Sequence, residues 1–136
     1  MPGRYGLNVR IVANDHRLVE SLAALLRQLG HDVQEWSNVA ECAVTTIAPP
    51  DVLIFELDPN DAGQADQIRG MFEHDVNRKP LLIALADRSD LYADRRAKDA
   101  GIPLVLVKPI DPALLAGVLR RFQDVLTTVE ALTPVT

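Results

Sequence analysis

Residues 50–61 read Pro50-Asp51-Val52-Leu53-Ile54-Phe55-Glu56-Leu57-Asp58-Pro59-Asn60-Asp61. Four apolar residues in succession, opened by Pro50-Asp51 and closed by an acidic turn, predict a short strand buried on both faces. The pattern recurs at Leu81-Leu82-Ile83-Ala84-Leu85 and Leu104-Val105-Leu106-Val107. Val9-Arg10-Ile11-Val12 is a fourth strand, and Asp32-Val33-Gln34-Glu35-Trp36 a weaker fifth. Strands apolar on both faces need a layer above and a layer below. A parallel sheet between helices meets that need.

Helical periodicity fills the intervals. Leu18, Leu22, Leu25, Leu26 and Leu29 recur at spacings of three and four, with Gly30 placed to end the helix. Val39, Ala40, Ala43, Val44 and Ile47 form a second stripe, capped by Ser37 or Asn38 and stopped by Pro49-Pro50. The third segment, Gln64 to Glu73, has only the short stripe Ile68, Met71 and Phe72. The fourth covers about Leu91 to Ala100 and ends at Gly101. The fifth opens with Asp111-Pro112, a cap followed by proline at the first helical position, and carries Leu114, Leu115, Val118, Leu119, Phe122, Val125 and Leu126. Five β-α units imply an α/β fold: a doubly wound parallel sheet with right-handed crossovers and helices on both faces. The domain is expected over residues 7–128, with 129–136 as the end of the last helix and a tail.

A chain of 136 residues with 48% apolar and 24% charged residues suits one globular domain that needs no disulfide or metal to fold. The net charge of −5 argues against nucleic-acid binding through a basic footprint. Cys42 alone forms no internal disulfide, and no Cys-rich zinc site is available. His16, His31 and His74 lack ligand-like spacing, and neither a signal peptide nor a membrane-length apolar stretch is present. A cytoplasmic location is the expectation.

In such folds ligands sit beyond the carboxyl ends of the strands. There stand Ala13-Asn14-Asp15, Glu56-Leu57-Asp58, Ala86-Asp87 and Lys108-Pro109. Taken in order, Ile11-Val12-Ala13-Asn14-Asp15, Leu29-Gly30, Pro50 through Glu56, Ala100-Gly101 and Leu106-Val107-Lys108-Pro109 with Asp111-Pro112 carry a resemblance. From about Asn8 to Leu126 the chain resembles the receiver domain of two-component response regulators. The resemblance implies a flavodoxin-like five-stranded sheet of order 2-1-3-4-5 with five helices. It also implies a pocket in which an acidic pair binds Mg²⁺ and an aspartate accepts a phosphoryl group. A hydroxyl and a lysine contact that group, and an aromatic residue moves in response.

Four of these features are changed. The acidic pair falls on Ala13 and Asn14, with Asp15 one position late; the acceptor falls on Glu56, the hydroxyl on Ala86 and the aromatic on Val105. Only Lys108 is kept. Alanine offers no ligand atom or donor, and asparagine only a neutral oxygen. Glutamate extends the carboxylate towards the place of a phosphoryl group. The resemblance is therefore to a degenerate member, a pseudo-receiver, acting by protein–protein contact without Mg²⁺-dependent aspartyl phosphorylation. No cofactor is expected. Two alternatives stand beside it: an atypical phosphorylatable receiver using Asp58 or Glu56 with Asp15 and Asp61 as ligands, and a flavodoxin-like small-ligand binder.

Each residue also has a plainer role. Asp15 suits a helix cap, residues 58–61 suit a turn, and Lys108 either pairs with Glu56 or reaches solvent. Arg95, Arg96 and Lys98 on the fourth helix and Arg120-Arg121 on the fifth form a candidate partner surface. Without a partner they are a solvated charged face. In receivers the fourth helix, fifth strand and fifth helix form a common dimer face, so a homodimer there is a further expectation.

Overall fold

The structure, a computed structural model, describes residues 6–36, 50–61, 63–71 and 80–132. Five strands form one parallel sheet: β1 (Asn8–Val12), β2 (Asp32–Trp36), β3 (Val52–Glu56), β4 (Leu81–Ala86) and β5 (Leu104–Val107), in the order β2-β1-β3-β4-β5. The described residues hold four helices: α1 (His16–Gln28), α2 (Gln64–Gly70), α3 (Ala93–Asp99) and α4 (Pro112–Leu132). The expected helix over Val39–Ile47, together with Cys42, lies outside the described residues. The short elements α2 and α3 begin or end a few residues inside their expected bounds, where helix ends give way to turns.

Side chains alternate across the central strands and build two cores. Val9, Ile11, Val52, Ile54, Ile83 and Leu85 pack with α1 and α4 on one face. Val12, Leu53, Phe55, Leu82, Ala84 and Ala86 pack with α2 and α3 on the other. This is why β1, β3 and β4 carry so few polar residues. Edge strand β2 buries only Val33 completely, which explains its weak apolar signal. Arg10 is the polar exception within β1; it is buried, with its guanidinium 5.9 Å from the Trp36 ring centroid.

Local chemistry fixes the ends. Asp15 caps α1 by accepting from the Leu18 N–H at 3.2 Å. Helices α1 and α3 end alike. Gly30 (φ 94°) and Gly101 (φ 80°) adopt the left-handed conformation. His31 N–H then reaches Leu26 O and Ile102 N–H reaches Ala97 O, closing each helix with a Schellman turn. Asp90 receives both guanidinium nitrogens of Arg96, at 2.7 and 3.1 Å, and its side chain is only 4% exposed. Asp51 ties the amino edge of the sheet: it accepts from Asn8 N–H, donates its own N–H to Asn8 O, and accepts from Leu81 N–H at its carbonyl.

The turn after α1 is the tightest point. A Cβ on Gly6 would lie 2.1 Å from Gly30 O, a backbone atom. Beside it, Leu7 N–H donates to buried His31 Nδ1 at 3.0 Å, and Asp32 N–H donates to Leu7 O at 2.9 Å. Burial holds the His31 imidazole below its ordinary value of 6.5. A proton on Nδ1 would also displace the Leu7 donor.

Gly6→Ala is expected to lower stability by about 1–3 kcal/mol, as overpacking against backbone does, read as a shift of the urea midpoint. His31 takes up its proton more readily unfolded than folded. Its contribution is thus complete above pH 6.5 and declines as pH falls through 6.5 towards the lower folded value. Urea unfolding across that range should show this step, and His31→Gln should remove it. A flat profile in the parent protein contradicts it.

Candidate functional site

The carboxyl ends of β1, β3, β4 and β5 come together at one edge of the sheet, held in register by Leu57 N–H to Leu85 O and Lys108 N–H to Ala86 O, both 2.8 Å. Their loops enclose a cavity of about 560 Å³ lined by Ala13, Asn14, Glu56, Asp58, Asp87 and Lys108, among others. The lysine precedes a cis Lys108–Pro109 peptide.

Glu56 is the centre of this cavity. Its Oε1 accepts from the Asn14 backbone N–H at 3.2 Å, and its Oε2 forms an ion pair with Lys108 Nζ. Both side chains are about three-quarters buried, 24% and 23% exposed. Both oxygens of the glutamate are therefore engaged, and Lys108, the one cation lining the cavity among the described residues, is committed to it. Glu56 and Lys108, placed on different strands by the sequence, meet here.

The other positions separate into lining and support. Asn14 is exposed and Ala13 buried, both lining the cavity. Asp15, expected at the pocket, does not line it; its carboxylate is turned to the start of α1. Ala86 and Val105 also do not line it. Ala86 is buried in the second core, and Val105 packs against that core without a bulky group to move. Asp58 lines the cavity and is exposed, but its Oδ1 accepts from Asn60 N–H at 2.9 Å. Asp61 likewise accepts from Gly63 N–H. Both are turn acids as well as lining groups.

Gln64, Gln67 and Ser89 also line the cavity and were not singled out from the sequence, and Asp87 stood there only as a strand-end residue without a role. Gln64 opens α2 and turns its carboxamide back on the loop, donating to Glu56 O at 2.9 Å and accepting from Asp58 N–H at 2.7 Å. Asp87 accepts from the Ser89 N–H at 3.0 Å and from its hydroxyl at 2.9 Å. Those two bonds, helped by the charge of Lys108, hold the exposed Asp87 carboxyl below its ordinary value. Asp87 was visible as the residue after β4. Ser89 and Gln64 carried no periodic signal, because loop geometry alone brings them in.

A divalent cation of the kind the resemblance implies does not fit these residues. Ala13 has no side-chain ligand atom, Asp15 is occupied as a cap, and Glu56 faces an ammonium. Among the described residues no three His, Cys, Asp or Glu side chains converge as a metal-binding group.

The proposed basic surface is likewise divided. Arg96 is not available to a partner, since its guanidinium is bound to Asp90. Arg120 lines a separate cavity with Leu29 and His31 beside α1. Arg95, Lys98 and Arg121 remain exposed. Leu91 and Tyr92, just before α3, and Val107, at the end of β5, are exposed apolar groups. Among the described residues no helix is long and apolar enough to cross a membrane.

No protein-family profile matches the sequence, and no curated protein matches it. Solved structures do. The N-terminal domain of an uncharacterized protein from Wolinella succinogenes is 24% identical, with a TM-score of 0.73 over 90% of this chain and 98% of that one. The receiver domain of a sensor histidine kinase from Pseudomonas aeruginosa, with a magnesium ion coordinated in its active-site cleft, is 22% identical, with a TM-score of 0.68 over 86% and 97%. The receiver domain of a Saccharomyces cerevisiae response regulator, crystallised with a histidine phosphotransfer protein, is 17% identical, with a TM-score of 0.72 over 89% and 91%. Strand order, helix placement and these likenesses agree: the chain has the fold of a response-regulator receiver domain.

Proposed function

We propose that this chain is a receiver-like module of a two-component-type regulatory system, working in the cytoplasm by protein–protein contact and without Mg²⁺-dependent aspartyl phosphorylation. The observation that carries the proposal is the Glu56 carboxylate, bound through one oxygen to Asn14 N–H and through the other to Lys108. A phosphoryl acceptor needs a free carboxylate oxygen. It also needs cations to offset charge building on the transferred group. Here the lysine is neutralised by the residue at the acceptor position, and the positions of the acidic pair supply no carboxylate. The pair instead ties β3 to β5 and holds the pocket in one arrangement.

A module that does not change state by covalent modification signals through what it binds. Leu91, Tyr92 and Val107, with Arg95 and Lys98 exposed on α3, supply apolar contact and positive charge for an acidic protein partner or a second copy of the chain. The atypical phosphorylatable receiver draws on one observation, the exposed Asp58 carboxylate at the cavity wall. The same experiment addresses it.

Incubation with Mg²⁺ and acetyl phosphate, or with beryllofluoride, is expected to leave the intact mass and the amide NMR spectrum unchanged. A stoichiometric phosphoprotein would overturn the proposal, and loss of labelling in Asp58→Asn would identify Asp58 as the acceptor. Lys108→Met leaves Glu56 with only the Asn14 N–H. It should lower stability by about 1 kcal/mol, between the values for exposed and buried pairs. In a double-mutant cycle, Glu56→Gln combined with Lys108→Met should recover part of that loss.

A further inference from the structure

Away from the pocket at the strand ends, a second cavity of about 520 Å³ lies between the end of α1 and the outer side of α4. It shares no lining residue with the first. Its α4 wall is Ala113, Ala116, Gly117, Arg120 and Gln123, residues spaced to lie on one helical face. Gly117 is exposed, and a Cβ there would meet nothing within 4 Å, so the groove is open on that side. Leu29, 49% exposed, forms an apolar rim.

Three polar residues line this space: His31, Arg120 and Gln123, of which Gln123 is already engaged. His31 is only 8% exposed yet lines the cavity. Its Nδ1 accepts from Leu7 N–H, so the neutral ring carries its proton on Nε2. That N–H sits on the ring edge away from Leu7 and donates to no group among the described residues. Arg120 is exposed and forms no ion pair among the described residues. In a chain of net charge −5, a cation with no carboxylate partner among the described residues, beside the N–H donor of a largely buried histidine, is an arrangement suited to an anion. One planar guanidinium and one neutral donor match a carboxylate, whose two oxygens take a guanidinium side by side. Ala113, Ala116, Gly117 and Leu29 offer an apolar surface that matches a hydrocarbon body.

We infer that this α1–α4 cavity binds a small apolar monocarboxylate, its carboxylate held by Arg120 and His31 Nε2–H and its hydrocarbon part lying over Gly117 and against Leu29. The inference is independent of whether the strand-end pocket takes up phosphoryl groups.

The test is an amide NMR titration of the full chain with octanoate, with octanol and inorganic phosphate as separate probes. Octanoate should give saturable shifts at Leu29, His31, Gly117 and Arg120, including a displaced His31 Nε2 resonance. Octanol should bind about tenfold more weakly, since it lacks the charge-assisted bonds, and phosphate should leave the Leu29 and Gly117 signals in place. Arg120→Gln should weaken octanoate binding about tenfold. Gly117→Leu, which fills the groove at a position that favours helix, should abolish it while preserving the remaining spectrum. Equal binding of octanol, the same shifts with phosphate alone, unchanged affinity in Arg120→Gln, or octanoate shifts confined to other surfaces would each overturn the inference.

Discussion

Burial of the central strands on both sides governs this molecule. β1, β3 and β4 lie between two helical layers, and nearly every side chain along them enters one core or the other. Polar chemistry is displaced to where the strands stop. A parallel arrangement then gathers all the strand stops of one kind along a single edge. Glu56, Asp87, Asn14 and Lys108 are neighbours for that reason alone, although they come from four separate parts of the chain.

What the edge does with its charge is self-contained. Each acidic group there has an internal partner: Glu56 has Lys108 and a backbone N–H, Asp87 has Ser89, Asp58 has Asn60, and Asp61 has Gly63. These carboxylates are distributed among turns and one cross-strand pair. The Gln64 carboxamide then fastens the loop after β3 to α2, so the backbone around Glu56 is held from both sides.

Much of this was legible in the amino-acid order. Unbroken apolar runs at 52–55 and 81–85 require two-sided burial, and Gly30 and Gly101 mark helix ends because only glycine takes a left-handed turn without steric penalty. The meeting of Glu56 with Lys108 follows from strand order once the sheet is parallel. Other features follow from no local pattern. Gln64 and Ser89 reach the site through loop curvature, which leaves no periodic trace. Arg96 reads as a surface cation until its bidentate bond with nearly buried Asp90 is seen. Arg120 stands next to Arg121 in sequence, yet one helical step turns it towards α1.

The cap on α1 bears on how reversible the present arrangement is. Asp15 is the carboxylate nearest in sequence to the positions where an ion would be gathered, and it already holds the first turn of a helix through Leu18 N–H. Drawing it towards a cation would leave that turn without its side-chain acceptor. A shorter acid, aspartate, at position 56 would still stand beside a neutral Ala13 and Asn14. A change at any one of these positions therefore alters little by itself, because the cap on α1, the Glu56–Lys108 pair and the neutral side chains of Ala13 and Asn14 are separate features of the edge.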